Sequence, residues 1–159
     1  ADLRNQSEVD RVWVAGFGSG AALAICATAI DDSISGVAAL AAPADWSDWA
    51  ANPRRLLLHA RDAGLLTMSD LAPDFDRWSS ALGDLSAERA VASLAPRDLL
   101  LVHGGDDEIV PSLDARVVAS AHGAATLRII AGAGHHLRHD PRAIAILLGW
   151  LDRQRRQHA

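Results

Sequence analysis

The chain has 159 residues, half of them apolar, which suits one domain of ordinary size with a real core. Its formal charge of −5 gives no basic face for a nucleic acid, and no run of about 18 or more apolar residues is present to cross a membrane. The single cysteine, Cys26, excludes an intrachain disulfide; set in an apolar run, it is expected to be a buried, inert thiol in a cytoplasmic protein.

The opening stretch ADLRNQSEVD is polar and unlike a signal peptide. It reads as the end of a helix begun earlier, so the chain is expected to be a piece of a longer protein. Val12 to Ala15 predicts a buried strand. Glycines follow, then a small apolar helix from Ser19 to Ile30. Gly36 opens a second strand, Val37 to Ala41, which stops at Pro43. Leu99 to Val102 is a third strand and Leu127 to Ile130 a fourth. Continuous apolar strands separated by helices predict an α/β fold, a mostly parallel sheet with helices on both faces. Ser112 is expected to cap a helix that Gly123 ends. Asp140-Pro141 opens the last helix. There Ile144, Leu147, Leu148 and Leu151 fall at helical spacing and are expected to pack on the sheet.

The segment Ala44 to Pro96 differs. It holds Trp46, Trp49, Phe75 and Trp78, with helices expected from Asn52-Pro53 to Gly64, after Pro73 and after Ser86. It reads as a helical insertion between two strands, where a lid would sit. The alternative, that these aromatics only pack helices onto the domain, weighs equally.

The turn Gly16-Phe17-Gly18-Ser19-Gly20-Ala21 joins strand to helix. Two chemistries use such a turn. In a nucleophile elbow, G-x-S-x-G, a strained central residue stands above the sheet between small neighbours. In a dinucleotide fingerprint, G-x-G-x-x-G/A, backbone N–H groups hold a pyrophosphate. The elbow register places Gly18 at the centre, because Gly16 and Gly20 then occupy the flanking small positions. Centring on Ser19 would put Phe17 where a ring should clash. Ser19 is then the first residue of the helix, its hydroxyl capping it and its N–H serving an oxyanion site; it is also the alternative nucleophile. The dinucleotide reading, a nucleotide-binding module built on Gly16 to Ala21, expects an acid closing the second strand. That strand ends Ala41-Ala42-Pro43.

His103-Gly104-Gly105-Asp106-Asp107-Glu108-Ile109-Val110-Pro111 follows the third strand, and Gly132-Ala133-Gly134-His135-His136 the fourth. Each puts a titratable group at the carboxyl end of a strand, where open α/β sheets build their sites. The order turn, acid, histidine is that of a hydrolase triad, in which a carboxylate holds one ring nitrogen so that the other can act as a base. At these residues the chain resembles the α/β-hydrolase family, in its serine-aminopeptidase-like or dienelactone-hydrolase-like branch. HGGDDEIVP matches the family's H-G-x-x-D-x-x-V-P, and GAGHH its G-x-G-H. The resemblance implies Asp107 as the acid, not Asp106, and His135 as the base. It covers nearly the whole chain as the last four strands of an eight-stranded fold, with one departure, Gly18 at the nucleophile position. The strands and second oxyanion donor that come earlier in that fold have no counterpart here.

The reading is therefore residues 1–159 as the C-terminal part of one α/β-hydrolase domain, with residues 44–96 as a lid. The expected activity is ester or amide hydrolysis with the serine nucleophile impaired or absent, or a non-catalytic member that keeps the pocket. No cofactor is expected, and no metal. His135, His136 and His139 lack matching Cys or acidic ligand spacing. His136 and His139 are expected at the surface, and His103 packed at its strand end. Asp45 is expected to cap a helix. The ligand is expected to be a small molecule or peptide, with no nucleic acid and no membrane. Self-association is expected through an exposed sheet edge.

Overall fold

Four apolar runs form the strands β1 (Val12–Phe17), β2 (Ile34–Leu40), β3 (Asp98–Gly104) and β4 (Thr126–Ile130). The computed structural model describes residues 9–52, 57, 58, 61, 64 and 75–157. The strands lie in one parallel sheet in chain order, with Val14 beside Val37, Ala38 beside Leu100 and Leu101 beside Leu127. Parallel neighbours need a crossover between them. The chain supplies α1 (Ser19–Ile30) after β1 and α5 (Ser112–His122) after β3. Between β2 and β3 come α2 (Ser47–Ala51), α3 (Phe75–Asp84) and α4 (Ala87–Val91), and α6 (Pro141–Gln157) follows β4. All four strands and their parallel sense accord with the sequence. The ends differ by one to three residues: β1 runs on through Phe17, β2 starts at Ile34 and stops before Ala41, and β3 reaches Gly104. The helix expected from Asn52 to Gly64 lies largely outside the described residues.

The molecule divides into two compact units, residues 45–86 and the remainder. In the first, α2 packs on α3, and Ser79 Oγ donates to the Ala50 carbonyl at 2.9 Å. The Asp45 carboxylate accepts the Ser47 N–H at 2.8 Å in the turn before α2, while the Trp46 carbonyl accepts the first helical N–H, from Ala50, at 2.8 Å, so Asp45 lies one residue outside the cap position expected of it. The helix α4, expected as part of the insertion, instead packs on α1 and α5 in the sheet unit. Burial of Ala87, Val91 and Leu94 accounts for this.

Alternation along the strands sorts the core into two layers. Ala38, Leu40, Leu100, Val102 and Ile130 face α6, with Leu137, Ala143, Leu147 and Trp150. The α6 stripe keeps Leu147 and Leu151 of the expected one but is turned from it. It runs through Ala143, Leu147 and Trp150, while Leu148 is 59% exposed. Both stripes are apolar, and packing the large Trp150 ring turns the helix by about one residue.

Two more expectations change. Pro111, not Ser112, is the N-cap of α5, with no side-chain cap bond; Ser112 is the first helical residue. In the first turn, the Asp114 carboxylate instead accepts the Ala44 N–H at 2.9 Å. Gly123 does end α5, in the left-handed conformation. Cys26 is half-buried rather than buried. It lies on α1, whose outer side is apolar yet open: Leu23 is 47% and Ile30 89% exposed. The neighbouring strand shows the same openness. Interior strands β2 and β3 are almost wholly buried, whereas β1, paired only with β2 among the described residues, is mostly half-exposed.

Candidate active site

The chain leaves β1 at Phe17 and turns into α1 at Gly18, whose φ of 55° and ψ of −126° L-residues rarely adopt. The turn is pinned on both sides. The Gly18 N–H donates to the Leu40 carbonyl at 2.8 Å, and the Gly18 carbonyl accepts the Ala21 N–H at 3.0 Å. A β-carbon built on Gly18 would lie 3.3 Å from His135 Nε2 and 3.8 Å from its Cε1. Beyond its own chain neighbours, no other described atom comes within 4 Å of that point. Ser19 is the first residue of α1, as expected, but the helix carries no side-chain cap bond and its N-cap is Gly18.

The two flanking glycines are not equivalent, contrary to the sequence argument. A β-carbon on Gly16 would fall on the Gly20 carbonyl oxygen and 2.7 Å from Ala21 Cα. On Gly20 it would meet nothing within 4 Å. The close approach of strand and helix is thus made by Gly16 alone, against the backbone at Gly20.

The acid and histidine loops are stapled together. Gly105 N–H donates to the Ile130 carbonyl at 2.8 Å, and Asp106 N–H to the Ala133 carbonyl at 2.9 Å. Gly104 permits this, since a β-carbon there would strike the Ala133 carbonyl oxygen and lie 2.5 Å from that of Gly134. Asp106 is exposed. Asp107 turns inward, its side chain wholly shielded. Its Oδ1 accepts the N–H groups of Ile109 and Val110, each at 2.9 Å, and its Oδ2 lies 2.9 Å from His135 Nδ1. Burial acts to raise the Asp107 carboxyl. The rings of His103 and His135 and the N–H groups of Val110 and Ile109 outweigh it and hold the carboxyl well below the usual carboxylate range.

Asp107, His135 and Gly18 thus come together at the carboxyl ends of β3, β4 and β1. Because His135 Nδ1 faces a carboxylate, it carries the proton, and Nε2 is the nitrogen turned toward Gly18. Such a ring can take a proton from an oxygen or nitrogen held above Gly18, and the ionised Asp107 stabilises the imidazolium that results. Gly18 itself has no atom to give. His136 and His139 are exposed, and His139 Nε2 accepts from Arg138 Nε at 3.0 Å. Among the described residues no three His, Cys, Asp or Glu side chains are grouped as a metal site.

Two features escape a reading of the sequence. His103, expected only to pack, has its Nε2 3.3 Å from Asp107 Oδ2. Ala41, just past β2, has a φ of 56°, with its N–H donating to the Val102 carbonyl at 2.9 Å. The first depends on how the loop after β3 folds back beneath the ring, which no spacing signals; nothing in an alanine signals the second.

A parallel sheet with a strand–elbow–helix, an acid loop and then a histidine loop is the arrangement of the α/β-hydrolase fold, and the chain has that fold. Among solved structures it resembles Est1E from Butyrivibrio proteoclasticus at 17% identity and a TM-score of 0.70, covering 97% of this chain and 64% of that one. The esterase domain of a Rhodothermus marinus protein matches at 20% identity and a TM-score of 0.64, over 90% and 61% of the two chains. The α/β-hydrolase GrgF from Penicillium sp. sh18 matches at 18% identity and a TM-score of 0.59, over 88% and 61%. The chain thus spans less than two thirds of the length of these structures. No family model and no curated protein matches the sequence.

Proposed function

We propose that this chain carries the acid–base half of an ester- or amide-hydrolase site without its nucleophile. In this reading Asp107 is the acid, His135 the base, Gly18 the nucleophile position and Ser19 the source of an oxyanion N–H. The observation that carries it is the alignment of three points: Asp107 Oδ2 at 2.9 Å from His135 Nδ1, and His135 Nε2 at 3.3 Å from where a Gly18 side chain would begin. A dyad so placed serves a side chain at the elbow centre, and glycine has none. The domain then binds a small-molecule or peptide ester or amide with little turnover, any residual reaction running through water deprotonated by His135. The helical insertion between β2 and β3 is proposed as its lid. The formal charge of −5 favours neither nucleic acid nor an anionic membrane surface as partner, and no described helix is long and apolar enough to cross a bilayer. A single cysteine favours the cytoplasm. A dinucleotide at the same turn is the weaker reading, because β2 is followed by Ala41-Ala42-Pro43 with no acid for a ribose.

The test is Gly18→Ser. If the dyad is a catalytic base, the new hydroxyl is activated and labels covalently with a fluorophosphonate probe, while the double variant Gly18→Ser/His135→Gln does not. The wild type should hydrolyse p-nitrophenyl esters no faster than the roughly 10³–10⁴-fold over water left when a triad loses its nucleophile. Strong wild-type turnover abolished by Ser19→Ala would make Ser19 the nucleophile and overturn the assignment.

A further inference from the structure

Asp107 has a second imidazole beside it that this acid–base scheme does not use. His103 sits near the carboxyl end of β3 with its side chain wholly shielded. Its Nε2 is 3.0 Å from the Val110 carbonyl oxygen and 3.3 Å from Asp107 Oδ2. Both neighbours are acceptors, so Nε2 must carry the hydrogen, with Val110 as the nearer acceptor and Asp107 as the second. Nδ1 is then the unprotonated nitrogen. It is buried, and no described atom hydrogen-bonds to it. A nitrogen lone pair taken out of water with no donor is destabilising. A leucine or methionine would fill the same space without that cost. What the imidazole adds over an aliphatic side chain is the Nε2–H.

We propose that His103 is a positioning residue: its Nε2–H, shared between the Val110 carbonyl and Asp107 Oδ2, locks the acid loop so that Oδ2 meets His135 Nδ1. The two backbone donors, Ile109 and Val110, both hold Oδ1 and leave the other oxygen to be aimed. Val110 is engaged twice, by its N–H to Asp107 and by its carbonyl to His103, so the ring closes a loop of bonds around the carboxylate. The two histidines flanking Asp107 therefore hold opposite tautomers, His103 with Nε2–H and His135 with Nδ1–H. The second keeps the proton off the nitrogen that faces Gly18. The inference rests on the acid–base reading of the site for its purpose, but the tautomers exist whether or not the site turns over.

Long-range ¹H–¹⁵N correlation spectra of the ¹⁵N-labelled chain at neutral pH read both tautomers directly. The expected pattern is a pyrrole-type Nε2 with a pyridine-type Nδ1 for His103, and the reverse for His135. In His103→Leu, His135 should lose its fixed Nδ1–H tautomer and relax to a mixture, with the circular dichroism spectrum unchanged. In His103→Gln, whose amide keeps a donor, the His135 tautomer should return. On the Gly18→Ser background, fluorophosphonate labelling should slow by about tenfold or more in His103→Leu, the usual scale for removing a residue that orients a functional imidazole, and recover with Gln. An Nδ1–H tautomer or an imidazolium at His103 overturns the proposal. So does a His103→Leu chain whose His135 tautomer is unaltered. If that variant fails to fold, the wild-type and Gln spectra still decide. If Gly18→Ser does not label at all, the acid–base reading fails while the tautomers still judge this proposal on their own.

Discussion

At the residue scale, Asp107 links the site to the stability of the fold. Its carboxyl is held below the usual range, so the folded state favours the ionised form more than the unfolded chain does, where the value is about 3.9. The stabilisation is complete above that unfolded value and disappears as pH falls through the lower, folded one. Denaturant midpoints measured from neutral pH downward should therefore drop on the acid side, and Asp107→Asn should flatten that part of the curve while lowering stability at neutral pH. An unchanged acid limb would mean that other carboxylates govern it; Asp140 is the obvious one, held down to about 2 by the Arg142 guanidinium. Much of the site's geometry was legible at this scale. The choice of Asp107 over Asp106 rested on the resemblance to the family's H-G-x-x-D segment, and the structure turns Asp107 inward and leaves Asp106 exposed. The role of His103 was not legible, because a buried ring's partners depend on how the loop folds back beneath it.

At the element scale, the strand-to-helix turn makes a contrast that a sequence pattern cannot. Gly16 and Gly20 look alike in G-x-G-x-G, yet only Gly16 has backbone where its side chain would be. Gly16→Ala should cost at least the 1–3 kcal/mol or so typical of overpacking, since the atoms it meets are main chain and cannot swing away. Gly20→Ala, in the first turn of α1 and facing open space, should be neutral or stabilising by up to about 1 kcal/mol. Urea unfolding of the two variants checks this; equal losses would mean that the turn is looser than its geometry. The strands were readable because each is an apolar run bounded by glycine, proline or polar residues. The α6 stripe was misread because that helix is apolar on adjoining faces, so periodicity alone allowed two rotations and Trp150 decided between them. Ser112 fits a cap by residue type, but the backbone places Pro111 at that position instead.

At the scale of the whole molecule, the outer edge of β1, beside which no strand lies among the described residues, and the open side of α1 bear on association together. The first pairs only with β2 among the described residues, and the second presents Leu23 and Ile30. Such surfaces promote association. Sedimentation should show the isolated chain self-associating as concentration rises, and Leu23→Glu/Ile30→Lys should shift it toward monomer without loss of helicity. A monodisperse wild type at high concentration would count against this. The glycine at the elbow has a consequence of a different kind, in the freedom of the sequence to change. A side chain held at a φ of 55° and a ψ of −126° costs a fold about 1–3 kcal/mol, and glycine avoids most of it. Gly18→Ser should therefore lower the melting temperature by several degrees, at about 2–4 °C per kcal/mol for a domain near this size. On the proposed reading, in which glycine stands where a serine nucleophile would, relief of that strain leaves a margin in which mildly destabilising substitutions elsewhere go unpunished. Each such substitution would use part of the margin, so on that reading a serine at Gly18 becomes harder to tolerate with time, and the glycine acts as a ratchet.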